Sequence, residues 1–247
     1  TEVCGEYLTD ALSGEAAAFI ERHKEEPFFL YLSYNCPHTP MQAKPVDLAR
    51  FEEIEDPNRR ALAAMMYSLD EGVGEVMAAL ARAGLEEDTL VFFISDNGGQ
   101  TNKNASLNSP FAGAKGDLLE GGVRIPYIAR WTGEIPAGVT LDTPVSSLDV
   151  CATAVELAGL PAASELEGLD LLPYMRGEES LTRSTLYWRF GEQRALLGRQ
   201  AGVLQLAYIQ RVGRGFFFGR GDHGVRNPPG QGICGSDPPY RPRTVKA

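Results

Sequence analysis

The sequence has 247 residues, of which 43% are hydrophobic and 23% are charged, and its formal net charge is −10. These values are typical of a soluble globular protein with one large domain or two smaller ones, and no apolar run is long enough to span a bilayer. Residues 196–247 carry +6 (seven Arg, one Lys, two Asp), which leaves −16 on residues 1–195. The acidic main part argues against nucleic acid as a partner, because phosphate binding needs a basic surface.

The predicted elements alternate between helices and strands. Apolar residues recur at helical spacing in three segments, and short aromatic or β-branched runs between them indicate strands. The predicted helices are 7–26, 58–84 and 147–159, the predicted strands are 27–34, 90–94 and 124–131, and the predicted loops are 37–57 and 98–122. This alternation predicts an α/β fold, with a mostly parallel sheet that is covered by helices on both faces.

Three polar stretches lie near predicted strands, where open α/β sheets place their ligand sites. They are NCPHTP (35–40), SDNGG (95–99) and AGAKGDLLEGGVR (112–124). The carboxylate of Asp96 and the amide oxygen of Asn97 are hard donors of the type that Ca²⁺ or Mg²⁺ binds. An ordinary Asx turn is the alternative, because D-N-G-G is also good turn sequence.

Two further side chains in these stretches suit acid–base or anion chemistry. His38 lies between two prolines, and an imidazole can accept or donate a proton near neutral pH. Lys115 lies between Gly113 and Gly116, which allow the backbone to approach a ligand closely, and its ammonium would suit an oxyanion. The alternatives are a packing or loop histidine and a solvated surface lysine.

Taken together, these stretches resemble the sulfatase family of the alkaline-phosphatase-like superfamily. The resemblance is carried by PFFLYLSYNCPHTP, LVFFISDNGG, GAKGDLLEGGVRIPYIARWTGEIPAG, GLDLLPYMRGE and LYWRFGEQRA. It implies that residues 1–160 are the C-terminal portion of a sulfatase catalytic domain and that 161–195 are a linker and the start of a C-terminal subdomain. Residues 196–247, basic and rich in Gly and Pro and without a sustained hydrophobic period, do not resemble the family's continuation; a disordered tail, a glycine-rich appendage and an out-of-frame translation are the three interpretations.

The resemblance also implies a reaction, which is metal-dependent cleavage of sulfate esters or sulfamates in a sulfated small molecule or glycan. Asp96 and Asn97 would be ligands of Ca²⁺, with Mg²⁺ as the alternative ion. Lys115 would hold a sulfate oxygen, and His38 would contact sulfate and protonate the leaving group. The family's nucleophile is a formylglycine made from a C/S-x-P/A-x-R signature, which no cysteine or serine of this sequence fits. The signature is expected upstream of residue 1, so the chain as given is expected to be inactive.

Other interpretations differ in class. A related phosphatase or phosphonate hydrolase would share the metal scaffold but usually bind two metals. A non-catalytic fragment would bind sulfated glycans, which the net charge of −16 on residues 1–195 disfavours.

The cysteines at 4, 36, 151 and 234 have no C-x-x-C spacing, which argues against structural zinc and leaves disulfides undecided. No signal segment is visible, so the compartment is open, and a periplasmic or extracellular location is compatible with the complete protein. Nothing in the sequence indicates the oligomeric state.

Overall fold

The computed structural model of the chain describes the backbone of residues 2–3, 5–161, 164–183, 185–200, 203–212 and 215–221, and the side chains of those that fall between 5 and 198. The helices are α1 (Leu8–His23), α2 (Pro45–Leu48), α3 (Pro57–Ala83), α4 (Thr101–Asn104), α5 (Glu120–Val123), α6 (Leu148–Leu157) and α7 (Leu172–Met175), with a 3₁₀ turn at Ala49–Phe51. The strands are β1 (Glu2–Val3), β2 (Glu6–Tyr7), β3 (Val91–Ile94), β4 (Tyr127–Arg130), β5 (Thr185–Phe190), β6 (Gln193–Gln200), β7 (Val203–Val212) and β8 (Gly215–Gly221).

The chain divides into two units. The first unit consists of residues 1–107 and 125–183, and the second consists of residues 108–124 and 184–247. The second unit therefore takes one loop from the middle of the sequence and joins it to the C-terminal strands. No helix among the described residues is both long enough and apolar enough to cross a membrane.

The three predicted helices are confirmed as α1, α3 and α6. The longest of them, α3, begins where the Asp56 carboxylate accepts the Arg59 N–H at 2.7 Å, and it ends at Gly84, whose φ of +72° gives a left-handed C-cap. Helices α1 and α3 pack closely at Gly72, where an added Cβ would lie 2.3 Å from the Ser13 Oγ. The absence of a side chain at Gly72 therefore allows the two helices to meet.

The sheet differs from the one predicted. Strands β3 and β4 confirm two of the predicted strands, but they pair antiparallel, with Val91 opposite Arg130 and Ile94 opposite Tyr127. Every other strand pair among the described residues is antiparallel as well, so the mostly parallel sheet is not seen there. The connection between β3 and β4, residues 95–126, is long enough for a parallel crossover, but its helices α4 and α5 have only four residues each, and β4 runs opposite to β3.

The strand predicted over 27–34 is not formed as a hydrogen-bonded strand. Its side chains alternate between half-buried and exposed from residue 28 to 35, as they would in a strand. Phe28 and Leu30 pack against the core formed by α1 and α3, whereas Phe29 and Tyr31 are 65% and 79% exposed. Among the described residues, the peptide groups of 28–33 make no hydrogen bond, because no neighbouring strand lies beside them. The amphipathic pattern is therefore present without the ladder that defines a strand.

The second unit is built on an antiparallel sheet with the strand order β5–β6–β7–β8. Residues 196–221, part of the stretch that does not resemble the family's continuation, contribute most of three of these strands. The side chains of Leu118 and Ala195 are buried together, with Trp188, Val123 and Leu197 packed around them. The loop 108–124 is thereby anchored on the β5–β6 hairpin. Residues 222–247, the remainder of the predicted tail, lie outside the described residues.

Candidate active site

Asp96 and Asn97 follow the end of β3 after one intervening residue, Ser95, close to where they were predicted. The Ser95 N–H donates to the Pro126 carbonyl at 3.3 Å, which ties the residue after β3 to the chain just before β4. The Ser95 hydroxyl donates to the Asn97 carbonyl at 3.0 Å and so closes the turn that carries both side chains. Asp96 is exposed and Asn97 is half-buried. The apolar strand thus fixes the backbone from which a carboxylate and an amide project.

The donor chemistry of this turn fits a calcium ion in type. Asp96 and Asn97 offer hard oxygen donors, whereas Ca²⁺ takes about six to eight of them. Within the described parts of the chain, no group of three or more His, Cys, Asp or Glu side chains could hold a metal ion. These two residues would therefore supply part of a coordination sphere, and the remaining oxygens would come from water, from a substrate or from other residues. Their role as metal ligands stays a prediction.

His38 is exposed on the loop between residues 35 and 40. Its backbone N–H donates to the Asn35 carbonyl at 3.2 Å, and its Nδ1 lies 2.7 Å from the Thr39 carbonyl oxygen. A carbonyl oxygen can only accept a hydrogen bond, so Nδ1 carries a proton and donates a hydrogen bond to the Thr39 carbonyl. The neutral ring then has its lone pair on Nε2, which can accept a proton, and the imidazolium formed in this way can donate it again. The loop thus orients the imidazole for acid–base chemistry.

A small pocket lies beside His38 and is lined in part by Tyr7, Asn35, Cys36 and Met65. The Cys36 thiol donates to the Met65 carbonyl at 3.2 Å. Burial raises the pKa of Cys36 from 9.0 to about 11, so its sulfur stays protonated at neutral pH. Because the thiolate is the nucleophilic form, Cys36 is not a candidate nucleophile.

The raised pKa of Cys36 predicts slow alkylation. At pH 8 the folded chain is expected to react with iodoacetamide at Cys36 roughly tenfold more slowly than the urea-unfolded chain, since the smaller thiolate fraction outweighs the greater basicity of its sulfur. Mass spectrometry of the Cys36 peptide measures this rate. Cys151, which is exposed, serves as the internal control. Equal rates for Cys36 in the folded and unfolded chains would contradict the expectation.

Lys115 lies on a tightly folded loop of the second unit and is exposed. Gly113 and Gly116, which flank it, have φ values of +92° and +93°. A Cβ on Gly121 would lie 2.3 Å from the Gly113 carbonyl oxygen, so the loop packs backbone against backbone. The Ala114 N–H donates to the Asp117 carboxylate at 2.9 Å and closes the turn around the lysine. The close packing is therefore made at Gly121, and the predicted approach of a ligand to the backbone at Gly113 and Gly116 stays a prediction.

The loop that follows Asp96 and Asn97 is held by contacts that the sequence analysis missed. The Arg59 guanidinium, on α3, donates to the Ala105 carbonyl at 3.2 Å. The buried Asn104 side chain accepts from the Ser106 N–H at 3.1 Å and from the Ser106 hydroxyl at 2.6 Å. Arg59 is 46 residues from Ala105, so no local pattern in the sequence could indicate this contact.

The four predicted site residues are divided between the two units. His38, Asp96 and Asn97 belong to the first unit, and Lys115 belongs to the second. Each side chain lies on a turn or loop. Their convergence around one sulfate group stays a prediction.

Comparison with known proteins identifies the family. The family model described as Sulfatase matches residues 1–160. Steryl-sulfatase of Mus musculus is 37% identical over 180 residues, which are 69% of this chain and 28% of that protein. N-acetylgalactosamine-6-sulfatase of Canis lupus familiaris is 36% identical over 189 residues, which are 74% of this chain and 35% of that protein.

A solved structure agrees with these relatives. Ps i-CgsB, solved in complex with k-i-k-neocarrahexaose, superposes with a TM-score of 0.69 and 36% sequence identity, over 81% of this chain and 48% of that one. The chain thus spans about a third of the length of the curated relatives it matches and about half of the solved relative. It shares the alkaline-phosphatase-like fold of the solved sulfatases. The chain belongs to the sulfatase family.

Proposed function

We propose that this chain contributes Asp96, Asn97, His38 and Lys115 to the hydrolysis of sulfate esters by a sulfatase. The observation that carries this proposal is the family match over residues 1–160, which includes all four residues. That match also favours a sulfatase over the related phosphatases. The chemistry of the four side chains supports it, because they combine hard oxygen donors, a cation and an oriented imidazole.

Each residue has a distinct role in the proposed reaction. Asp96 and Asn97 would hold a calcium ion, with magnesium as the alternative; when bound, the ion offsets the negative charge of the sulfate group. The Lys115 ammonium holds a sulfate oxygen and stabilises the charge that develops on it in the transition state. In its imidazolium form, His38 donates the Nε2 proton to the departing oxygen and becomes neutral, while its Nδ1–H stays bonded to the Thr39 carbonyl.

The proposed substrates are sulfated glycans or sulfated small molecules, aryl sulfates among them. By their names, one relative acts on N-acetylgalactosamine 6-sulfate and another on steryl sulfate, and the solved relative holds a carrageenan-type oligosaccharide. Both sugars and fused rings are therefore compatible with this family's scaffold. No motif C/S-x-P/A-x-R is present in the sequence, so the 247-residue chain alone is proposed to be inactive.

Two proteins test the proposal. One is the 247-residue chain; the other is a chimera in which its residues 1–198 replace the matching region of Ps i-CgsB. With 4-nitrophenyl sulfate and saturating Ca²⁺, we expect the chimera to release 4-nitrophenol and the chain alone to stay at the buffer rate. Release of 4-nitrophenol by the chain alone would refute the proposal that it is inactive. A folded chimera, checked by circular dichroism, that neither binds Ca²⁺ nor releases 4-nitrophenol would refute the proposed function.

A further inference from the structure

The loop that carries Lys115 is bonded at two points by one side chain from the β5–β6 hairpin. The Gln193 amide oxygen accepts the Leu118 N–H at 3.3 Å. The amide nitrogen of the same side chain donates to the Gly116 carbonyl at 3.1 Å. Gln193 is the first residue of β6, and its Cα is paired with that of Phe190 across the hairpin. The two loop groups that it bonds are one and three residues beyond Lys115.

A carboxamide is the side-chain group suited to this double contact. It presents one acceptor and one donor, as a peptide group does, so it satisfies a carbonyl and an N–H of the same loop. A carboxylate at position 193 would still accept from Leu118 but could not donate to Gly116. An alkyl side chain would do neither. The pairing therefore depends on Gln193 being an amide of this length.

The rest of the loop is held in place together with these two hydrogen bonds, because its side chains and backbone are closely packed. The Leu118 side chain is buried against Ala195, two residues beyond Gln193 on the same strand. A Cβ on Gly122 would lie 2.1 Å from the Asp117 carbonyl oxygen, so the turn from residue 116 to 122 is packed as one piece. The hairpin thus sets both the side-chain packing and the backbone hydrogen bonds of the segment next to Lys115.

We infer that Gln193 is the positioning residue for Lys115. The inference rests on the proposed function, in which Lys115 holds a sulfate oxygen. Gln193 touches neither substrate nor metal in this scheme; it holds Gly116 and Leu118, and through them the backbone from which the lysine projects. A displacement of a binding group by about 1 Å can lower a rate by as much as about 10²-fold, so the C-terminal hairpin affects catalysis through the position of Lys115.

Amide hydrogen exchange on the full 247-residue chain tests the contact itself, whether or not the proposed function holds. Gln193→Ala is expected to raise the exchange rate of the Leu118 amide by about five- to tenfold, which is the effect of one lost hydrogen bond. Gln193→Glu should retain the protection, since its carboxylate still accepts. Thr185→Ala, on the exposed start of β5, is the control and should leave Leu118 unchanged. Protection of Leu118 that survives in Gln193→Ala, with β6 amides unaffected, would overturn the contact.

A double-mutant cycle in the chimera then separates positioning from simple stabilisation. Gln193→Ala is expected to lower kcat/KM for 4-nitrophenyl sulfate by about three- to tenfold, and by less than about twofold when Lys115 is already alanine. Gln193→Glu should lower kcat/KM about as much as Gln193→Ala does, because the hydrogen bond to the Gly116 carbonyl is lost in both variants. If Gln193→Ala lowered kcat/KM by the same factor whether residue 115 is lysine or alanine, the inference would be overturned. An inactive wild-type chimera, or a Lys115→Ala variant with full activity, would instead count against the proposed function.

Discussion

Replacement of His38 with alanine in the chimera is expected to lower kcat for an alkyl sulfate, such as a sulfated sugar, by about 10²–10⁴-fold, the usual effect of a lost general acid. An alcohol is a poor leaving group, so its oxygen must be protonated as the S–O bond breaks. The 4-nitrophenolate anion leaves without that help. The same variant is therefore expected to lose much less activity with 4-nitrophenyl sulfate. The ratio of the two losses in kcat measures how much protonation of the leaving group by His38 contributes to the rate.

The control is another histidine of the first unit. His23, near the end of α1, contacts the Glu26 carboxylate at 2.6 Å and has no place in the proposed site. His23→Ala is expected to leave both activities unchanged. Equal losses of both activities in His38→Ala would reduce His38 to a sulfate contact, and unchanged kinetics would remove it from the site.

Replacement of Asp149 with alanine is expected to destabilise the first unit by about 3–5 kcal/mol, the typical effect of breaking a buried ion pair. Asp149 is fully buried and accepts from the Ser146 N–H at 2.7 Å and the Leu169 N–H at 2.9 Å. Its carboxylate also pairs with the Arg183 guanidinium, which is only 10% exposed. The Arg183 Nε is buried without a hydrogen-bond partner among the described residues. Without Asp149, a nearly buried cation and two peptide N–H groups would lack partners.

Guanidinium unfolding of the 247-residue chain, followed by circular dichroism, measures this loss. The double variant Asp149→Ala/Arg183→Leu should be more stable than Asp149→Ala alone, because it also removes the unpaired charge. Asp142→Ala, an exposed aspartate in the preceding segment, is the control and should change the free energy of unfolding by less than about 0.5 kcal/mol. A double variant less stable than Asp149→Ala would show that packing, and not the charge of Arg183, dominates.

Much of the fold and of the candidate site could be predicted from consecutive residues. Helix α3 has its apolar stripe and its Gly84 stop within one segment, so its bounds were predicted to within one residue. The motif LVFFISDNGG likewise contains both the strand and the polar turn after it, which is why Asp96 and Asn97 lie where they were expected. The family could be recognised for the same reason, since its motifs are short and contiguous.

Other features were decided only by contacts between distant residues. The pairing of β3 with β4 is antiparallel, although the chain between them is long enough for either direction. The alternation of half-buried and exposed side chains over residues 28–35 has no strand beside it among the described residues. Hydrophobic alternation specifies which side chains face inward but not which strand lies alongside, or in which direction.

The sequence by itself determined the family, the main helices and the residues that carry the proposed chemistry, because each of these is encoded in a local pattern. The tertiary structure decided how the residues are supported. Gln193 reaches a loop 75 residues earlier, and Arg183 pairs with a carboxylate 34 residues earlier. Such contacts form because a buried polar group must replace its hydrogen bonds to water. The replacement partner is a group that is close in the folded chain, however distant it is in sequence.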